Sequence, residues 1–305
     1  MLDSCAAPKQ SKNMPITSYA ELKPWVSHAG VGPALRGRRI AGQGPTLHFL
    51  SGNGFCGGVY WPLLRQFLPD YGLFTHDIEG QGDSDNPARF SGVRALLRRI
   101  PQVMADQGLT GQPLIGIGHS FGGALTLRVA AENPGLFRAL VLLDPILFPP
   151  LFFAGIRMAA LVGRHPMANG ARRRRDRWAT RDEVIERLRG RGTYKRWTEE
   201  AMACFADYAT HDEGGQRVLS CPREIEAAVF EHPVYPWPAF RRIKVPVLFL
   251  RGEHSFSFFP AAERLAQRAC PQLTLRRLPG SHCFMQQDPR ASHAVIAEFL
   301  ETLAV

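Results

Sequence analysis

Leu114-Ile115-Gly116-Ile117-Gly118-His119-Ser120-Phe121-Gly122 is the stretch on which the reading of this chain turns. Its first half is a short apolar run of the kind that forms a buried strand. From about Gly122 to Ala131 an alanine- and leucine-rich run reads as a helix. Between them Ser120 stands in a Gly-x-Ser-x-Gly pattern. The five-residue pattern recurs by chance, as a glycine-rich turn with an incidental serine. Where a strand passes straight into a helix, however, it describes a tight, strained turn that presents the serine Oγ at the strand end, with glycines that let the helix and a neighbouring strand come close. The Phe121 N–H then lies among the unpaired donors of a helix N-terminus, which can hold an oxyanion.

Outward from this turn, short apolar runs alternate with helical patterns. Leu47–Leu50 reads as a strand followed by a helix over Tyr60–Phe67, and Leu73–His76 as a strand followed, after a Gly/Asp loop, by a helix near Val93–Ala105. Ala139–Leu143 is the strand after the serine helix. The alternation stops from Pro145 to Arg242, where the pattern is helical with proline and aromatic interruptions. It resumes at Val245–Leu250, a helix near Ala261–Ala269, and Leu273–Leu278. A last helix carries Val295, Ile296, Phe299, Leu300 and Leu303 on one face. The fold class expected is α/β: a mostly parallel central sheet, helices on both faces, and a helical insertion.

A serine alcohol needs a base. The order serine, acid, histidine places that base well downstream. His282, in Gly280-Ser281-His282, follows a strand and precedes the last helix, so it can reach the C-terminal edge of the sheet. His254 and His293 are the other downstream candidates, and His282 is favoured by position.

Together these residues resemble the α/β-hydrolase fold superfamily from about Leu35 to the C-terminus, outside the insertion. Ser51-Gly52-Asn53 stands where that family has a His-Gly turn, and Asp77-Ile78-Glu79-Gly80-Gln81-Gly82-Asp83-Ser84 matches its second loop. The resemblance implies that the Asn53 and Phe121 N–H groups form the oxyanion hole, and that Asp77 and its glycines are loop architecture. It also divides the chain into an N-terminal extension (1–34), a core (35–145 and 241–305) and a helical cap (146–240). The family's acid usually sits in a Gly-[Glu/Asp]-x-Asp pattern, yet this chain reads Gly252-Glu253-His254-Ser255, with serine in the carboxylate slot. Asp144, ending the strand after the serine helix, is the favoured replacement. Glu253 is the second choice, and a dyad without an acid the third.

Composition narrows the remaining classes. The 305 residues are 45% hydrophobic and 21% charged, an ordinary globular balance with a formal net charge of +10. Much of the excess lies between Arg172 and Lys195. No zinc-finger spacing, helix-turn-helix or RNA-binding aromatic motif accompanies it, so a solvated face is expected rather than nucleic-acid binding. The six scattered cysteines (Cys5, Cys56, Cys204, Cys221, Cys270, Cys283) suggest a reducing, cytoplasmic setting. Residues 1–13 lack a signal-peptide apolar stretch, and Ala139–Gly163 is broken by charges and prolines, so a soluble protein without stable membrane insertion is expected. No sequence signal bears on oligomeric state.

Gly52-Asn53-Gly54-Phe55-Cys56-Gly57 is a literal GxGxxG, but Tyr60, Trp61 and Pro62 crowd a would-be phosphate-binding helix. No P-loop or HExxH occurs, and neither cofactor nor metal is expected. The leading functional reading is a serine hydrolase acting on an ester-type carbonyl of a small apolar organic substrate, through Ser120, His282 and Asp144. Carbon–carbon bond, thioester or lactone hydrolysis on the same site, and a catalytically weak ligand-binding relative, are the alternatives. The dehalogenase and epoxide-hydrolase branches place aspartate where Ser120 stands.

Overall fold

The computed structural model describes residues 16–303. Cys5 and the leader reading of residues 1–13 lie outside the described residues. Eight strands form the central sheet: β1 (Lys23–Ser27), β2 (Leu35–Ile40), β3 (Thr46–Leu50), β4 (Gly72–His76), β5 (Leu114–His119), β6 (Ala139–Leu143), then, after the insertion, β10 (Val247–Gly252) and β11 (Leu273–Leu278). Their order is β1-β2-β4-β3-β5-β6-β10-β11. β1 pairs antiparallel with β2, and β2 with β4. Every other pairing is parallel.

The continuous apolar runs are explained by burial on both faces. In β6, Leu140 and Leu142 join one core cluster while Ala139, Val141 and Leu143 join the other. In β10, Val247 and Phe249 alternate with Leu248 and Leu250 in the same way. Helices Val93–Asp106, Ser120–Glu132 and Phe259–Ala269 contribute to the first cluster. The last helix, Pro289–Glu301, buries Ile296, Phe299 and Leu300 in the second.

Two features differ from the expected organisation. The segment 1–34 is not wholly an extension, because β1 is hydrogen-bonded into the sheet edge. Trp25 stacks on Phe74 with ring centroids 4.6 Å apart and donates its indole N–H to the Thr75 carbonyl at 3.1 Å. The insertion is not purely helical either. It holds a small antiparallel sheet of β7 (Arg177–Trp178), β8 (Thr210–Glu213) and β9 (Gln216–Leu219) beside its helices.

Strand order positions the site. From β3 the chain moves to β4 on one side and then to β5 on the other, so β3 and β5 diverge at their C-terminal ends, the crevice where open α/β sheets place ligands. Residues 51–53 leave β3 and Ser120 leaves β5, with Leu50 opposite Gly118 in register. Glycine is required here by packing. A Cβ on Gly118 would lie 2.5 Å from the Gly122 carbonyl oxygen, and one on Gly122 would collide with the Leu50 and Ser51 carbonyls.

Gly122→Ala is therefore expected to force the serine helix away from β3, at a cost of about 1–3 kcal/mol typical of overpacking. Urea denaturation measures this, and an unchanged midpoint would refute the packing account.

Candidate active site

Ser120 is the first residue of its helix, directly after β5, with φ +54°. Non-glycine residues seldom occupy this left-handed region, and tight packing at Gly118 and Gly122 is what holds it there. Asp144 directly follows β6, is fully buried, and also has positive φ, +42°. His282 sits in the loop between β11 and the short helix Phe284–Gln287. That loop lies flat on the end of β10 because residue 252 is glycine: a Cβ there would lie 2.8 Å from the Ser281 carbonyl carbon. The His254 N–H donates to the Gly280 carbonyl at 2.8 Å and fixes the same approach.

The three side chains meet in line. His282 Nε2 is 2.9 Å from Ser120 Oγ, and His282 Nδ1 is 2.6 Å from Asp144 Oδ2. The Asp144 carboxylate also accepts the Gly252 N–H at 3.0 Å on Oδ1 and the Ser255 hydroxyl on Oδ2. Ser255, the residue in the expected carboxylate slot, is thus a donor to the carboxylate that stands one strand away. Glu253 is exposed, and its N–H donates to the Leu278 carbonyl. No described hydrogen bond joins it to His282. His293 packs against Phe67 and is not among the residues that line the cavity, and His254 is exposed at the cavity rim.

Asn53 and Phe121 both line the cavity next to Ser120. Among the described residues the Asn53 N–H has no protein acceptor, and the Phe121 N–H lies in the first turn of its helix, where intrahelical acceptors are lacking. The Asn53 side chain is occupied elsewhere: its amide donates to the Glu226 carbonyl at 2.9 Å. Ser51, at the position of the usual histidine, donates its hydroxyl to the Phe55 carbonyl at 3.0 Å and braces the turn from within. The glycines of the GxGxxG stretch serve this turn, Gly54 with φ +78°.

Two further residues were not singled out from the sequence. His119, buried immediately before the serine, donates from Nε2 to the His282 carbonyl at 2.9 Å. The Tyr60 hydroxyl donates to His119 Nδ1 at 2.7 Å while accepting the Gly52 N–H at 3.1 Å. Burial pushes the His119 imidazole well below its ordinary pKa, so it stays neutral in the one tautomer this chain of bonds allows. The relay ties the Asn53 turn to the His282 loop behind the serine. A histidine in an otherwise apolar strand was its only visible sign in the sequence.

The site opens into a cavity of about 460 Å³. Ile146, Phe148, Val229, Phe230, Val234 and Phe256 make much of its wall apolar. Of the insertion's aromatic residues, Phe148, Tyr194 and Phe230 reach this wall. Trp178, Trp197, Phe205 and Trp237 are buried in packing. The arginine run is laced by acids: Arg172 pairs with Glu224 and Glu231, Arg174 with Glu226, Arg175 with Glu183, and Arg177 with Glu213. Arg174 alone of these lines the cavity. No helix among the described residues is long and apolar enough to cross a membrane.

Comparison with known proteins places this geometry in a family. Human monoglyceride lipase is 32% identical over 135 residues, 42% of this chain and 44% of the lipase. The chain spans about two-fifths of the lengths of the first two curated lipases that it matches. A 2-(acetamidomethylene)succinate hydrolase of Mesorhizobium japonicum is 26% identical over 277 residues, 86% of this chain and 90% of that protein. The solved structure of an alpha/beta hydrolase from Novosphingobium aromaticivorans superposes with a TM-score of 0.74 at 25% identity, covering 92% of this chain and 98% of the other. The alpha/beta hydrolase family model matches residues 49–295, from the end of β3 into the last helix. The chain belongs to the alpha/beta hydrolase family.

Proposed function

We propose that the chain is a serine hydrolase that cleaves an ester-type carbonyl through an acyl-enzyme. The observation that carries this reading is the line of contacts from Ser120 Oγ through His282, at 2.9 and 2.6 Å, to the fully buried Asp144. In the first half-reaction, Ser120 Oγ attacks the carbonyl carbon as its proton passes to His282 Nε2. Asp144 holds Nδ1–H, which leaves Nε2 free to accept, and stabilises the imidazolium that results. The Asn53 and Phe121 N–H groups receive the negative charge on the former carbonyl oxygen. His282 then protonates the departing alcohol. Water, activated by the same histidine, releases the acid and restores Ser120.

The apolar wall supports a small apolar organic substrate, and the lipase relative bears a name that denotes ester cleavage. The five described cysteines are free and buried, which supports the reducing, cytoplasmic setting.

Ser120→Ala is expected to lower kcat/KM on short-chain esters by about 10³-fold or more and to abolish labelling by a fluorophosphonate probe. Full activity in that variant would end the acyl-enzyme reading. Asp144→Asn should cost about 10²–10⁴-fold by favouring the wrong imidazole tautomer, while Glu253→Gln should stay within about twofold of wild type. Equal losses in these two variants would reassign the acid. Tyr60→Phe removes the donor to His119 and the acceptor of the Gly52 N–H. It should lower kcat about tenfold with KM little changed, since only the positioning of the base and oxyanion turn is loosened. A change confined to KM would argue against the relay.

A further inference from the structure

Of the residues that line the cavity, two are charged by type, Arg174 and Glu226, and they are in contact with each other. Arg174 Nη1 lies 2.9 and 2.8 Å from the two carboxylate oxygens of Glu226, and Nη2 donates to the Tyr194 hydroxyl at 2.9 Å. The side chains keep 21% and 9% of their exposure. Helix Arg223–Glu231 presents Glu226, Val229 and Phe230 to the cavity at spacings of three and four residues. The pair stands beside the Asn53 turn. The Glu226 carbonyl accepts the Asn53 amide, and a Cβ on Gly54 would lie 3.0 Å from Glu226 Oε1.

This arrangement inverts what the net charge of +10 suggests. A basic insertion over a pocket would be expected to draw in anions, but the cation that reaches the wall is already neutralised. A carboxylate entering the cavity would shed its water against apolar side chains and find no free positive partner. The pair as a whole is neutral and offers nothing against that loss, while Asp144, buried behind His282, is a like charge. Of the four histidines at the wall, burial holds His119 and His165 below the ordinary imidazole range, His282 is engaged between Ser120 and Asp144, and His254 stands exposed at the rim.

We propose that Glu226 is a specificity-determining residue. By holding Arg174 it leaves the cavity, among the described residues, without a free arginine or lysine, so the site takes esters with uncharged acyl groups and turns away those bearing a carboxylate. This rests on the acyl-transfer reading above and names its substrate class. Discrimination of this kind works by repulsion and lost solvation rather than by an added attractive contact. Removing the carboxylate of Glu226 while keeping its shape would convert the same wall into an anion-binding one.

Methyl isocaproate and monomethyl succinate test this, since their acyl groups have nearly the same shape and differ by one charge. For the wild type, kcat/KM should favour isocaproate by about 100-fold or more, and Glu226→Gln should shift the ratio toward succinate by about tenfold or more. The double variant Arg174→Met/Glu226→Met has no charge to expose and should keep the preference for the neutral ester. Equal rates on both esters in the wild type, or an unchanged ratio in a folded Glu226→Gln, would overturn the proposal. If the single variant does not fold, the wild-type ratio decides. Failure of the wild type to hydrolyse either ester would strike the acyl-transfer reading instead. Calorimetric affinities of the two esters for Ser120→Ala then judge the charge filter by itself: weaker binding of the succinate supports it, and equal binding overturns it.

Discussion

A buried carboxylate is costly unless its oxygens are hydrogen-bonded, and Asp144 meets that condition with three donors from two separate parts of the chain. The Gly252 N–H and the Ser255 hydroxyl come from the turn after β10, and His282 Nδ1 from the loop after β11. Asp144 itself ends β6, and its own N–H donates to the Leu250 carbonyl at 2.8 Å. One side chain thereby draws the ends of three neighbouring strands to a common point. The arrangement also accounts for the serine at position 255. With the carboxylate on the adjacent strand end, the vacated slot is filled by a hydroxyl that points at it.

The same economy of space governs the opposite side of the site. The Asn53 turn and the His282 loop do not touch the serine through their own backbones alone. They are spaced by Tyr60 and His119, which run behind Ser120 as a neutral hydrogen-bond chain. A charged group in that place would impose its own field on the reacting centre. A neutral histidine transmits position without doing so. Gly52 is part of the device, because a Cβ there would lie 2.7 Å from His119 Nδ1.

Charge in the insertion is handled by pairing. Most of the arginines form exposed pairs, each worth little in stability on its own, which knit the helices and small strands of the insertion together. Arg174 is the exception in location, since it stands at the cavity wall.

The sheet core was legible because its signals are local. Buried parallel strands must be apolar on both faces, helices must repeat every three to four residues, and a serine on a strained turn needs small neighbours within two positions. Those requirements act over a few residues and so leave their mark in the order of amino acids. β1 escaped notice because an antiparallel edge strand tolerates Lys23 and Pro24, which lack strand character. The strands of the insertion are two to four residues long, too short to show a period. Whether Asp144 or Glu253 faces the histidine was beyond the sequence, since both follow strands and both carry carboxylates. That choice depends on the direction in which each chain leaves its strand. Asp144 turns inward with φ +42°, whereas Glu253 turns out to solvent. The contacts of His119 with Tyr60 and of Arg174 with Glu226 join residues 59 and 52 positions apart. Over such separations no local pattern records which side chains will meet, and only the packed sheet and its insertion bring them within hydrogen-bonding distance.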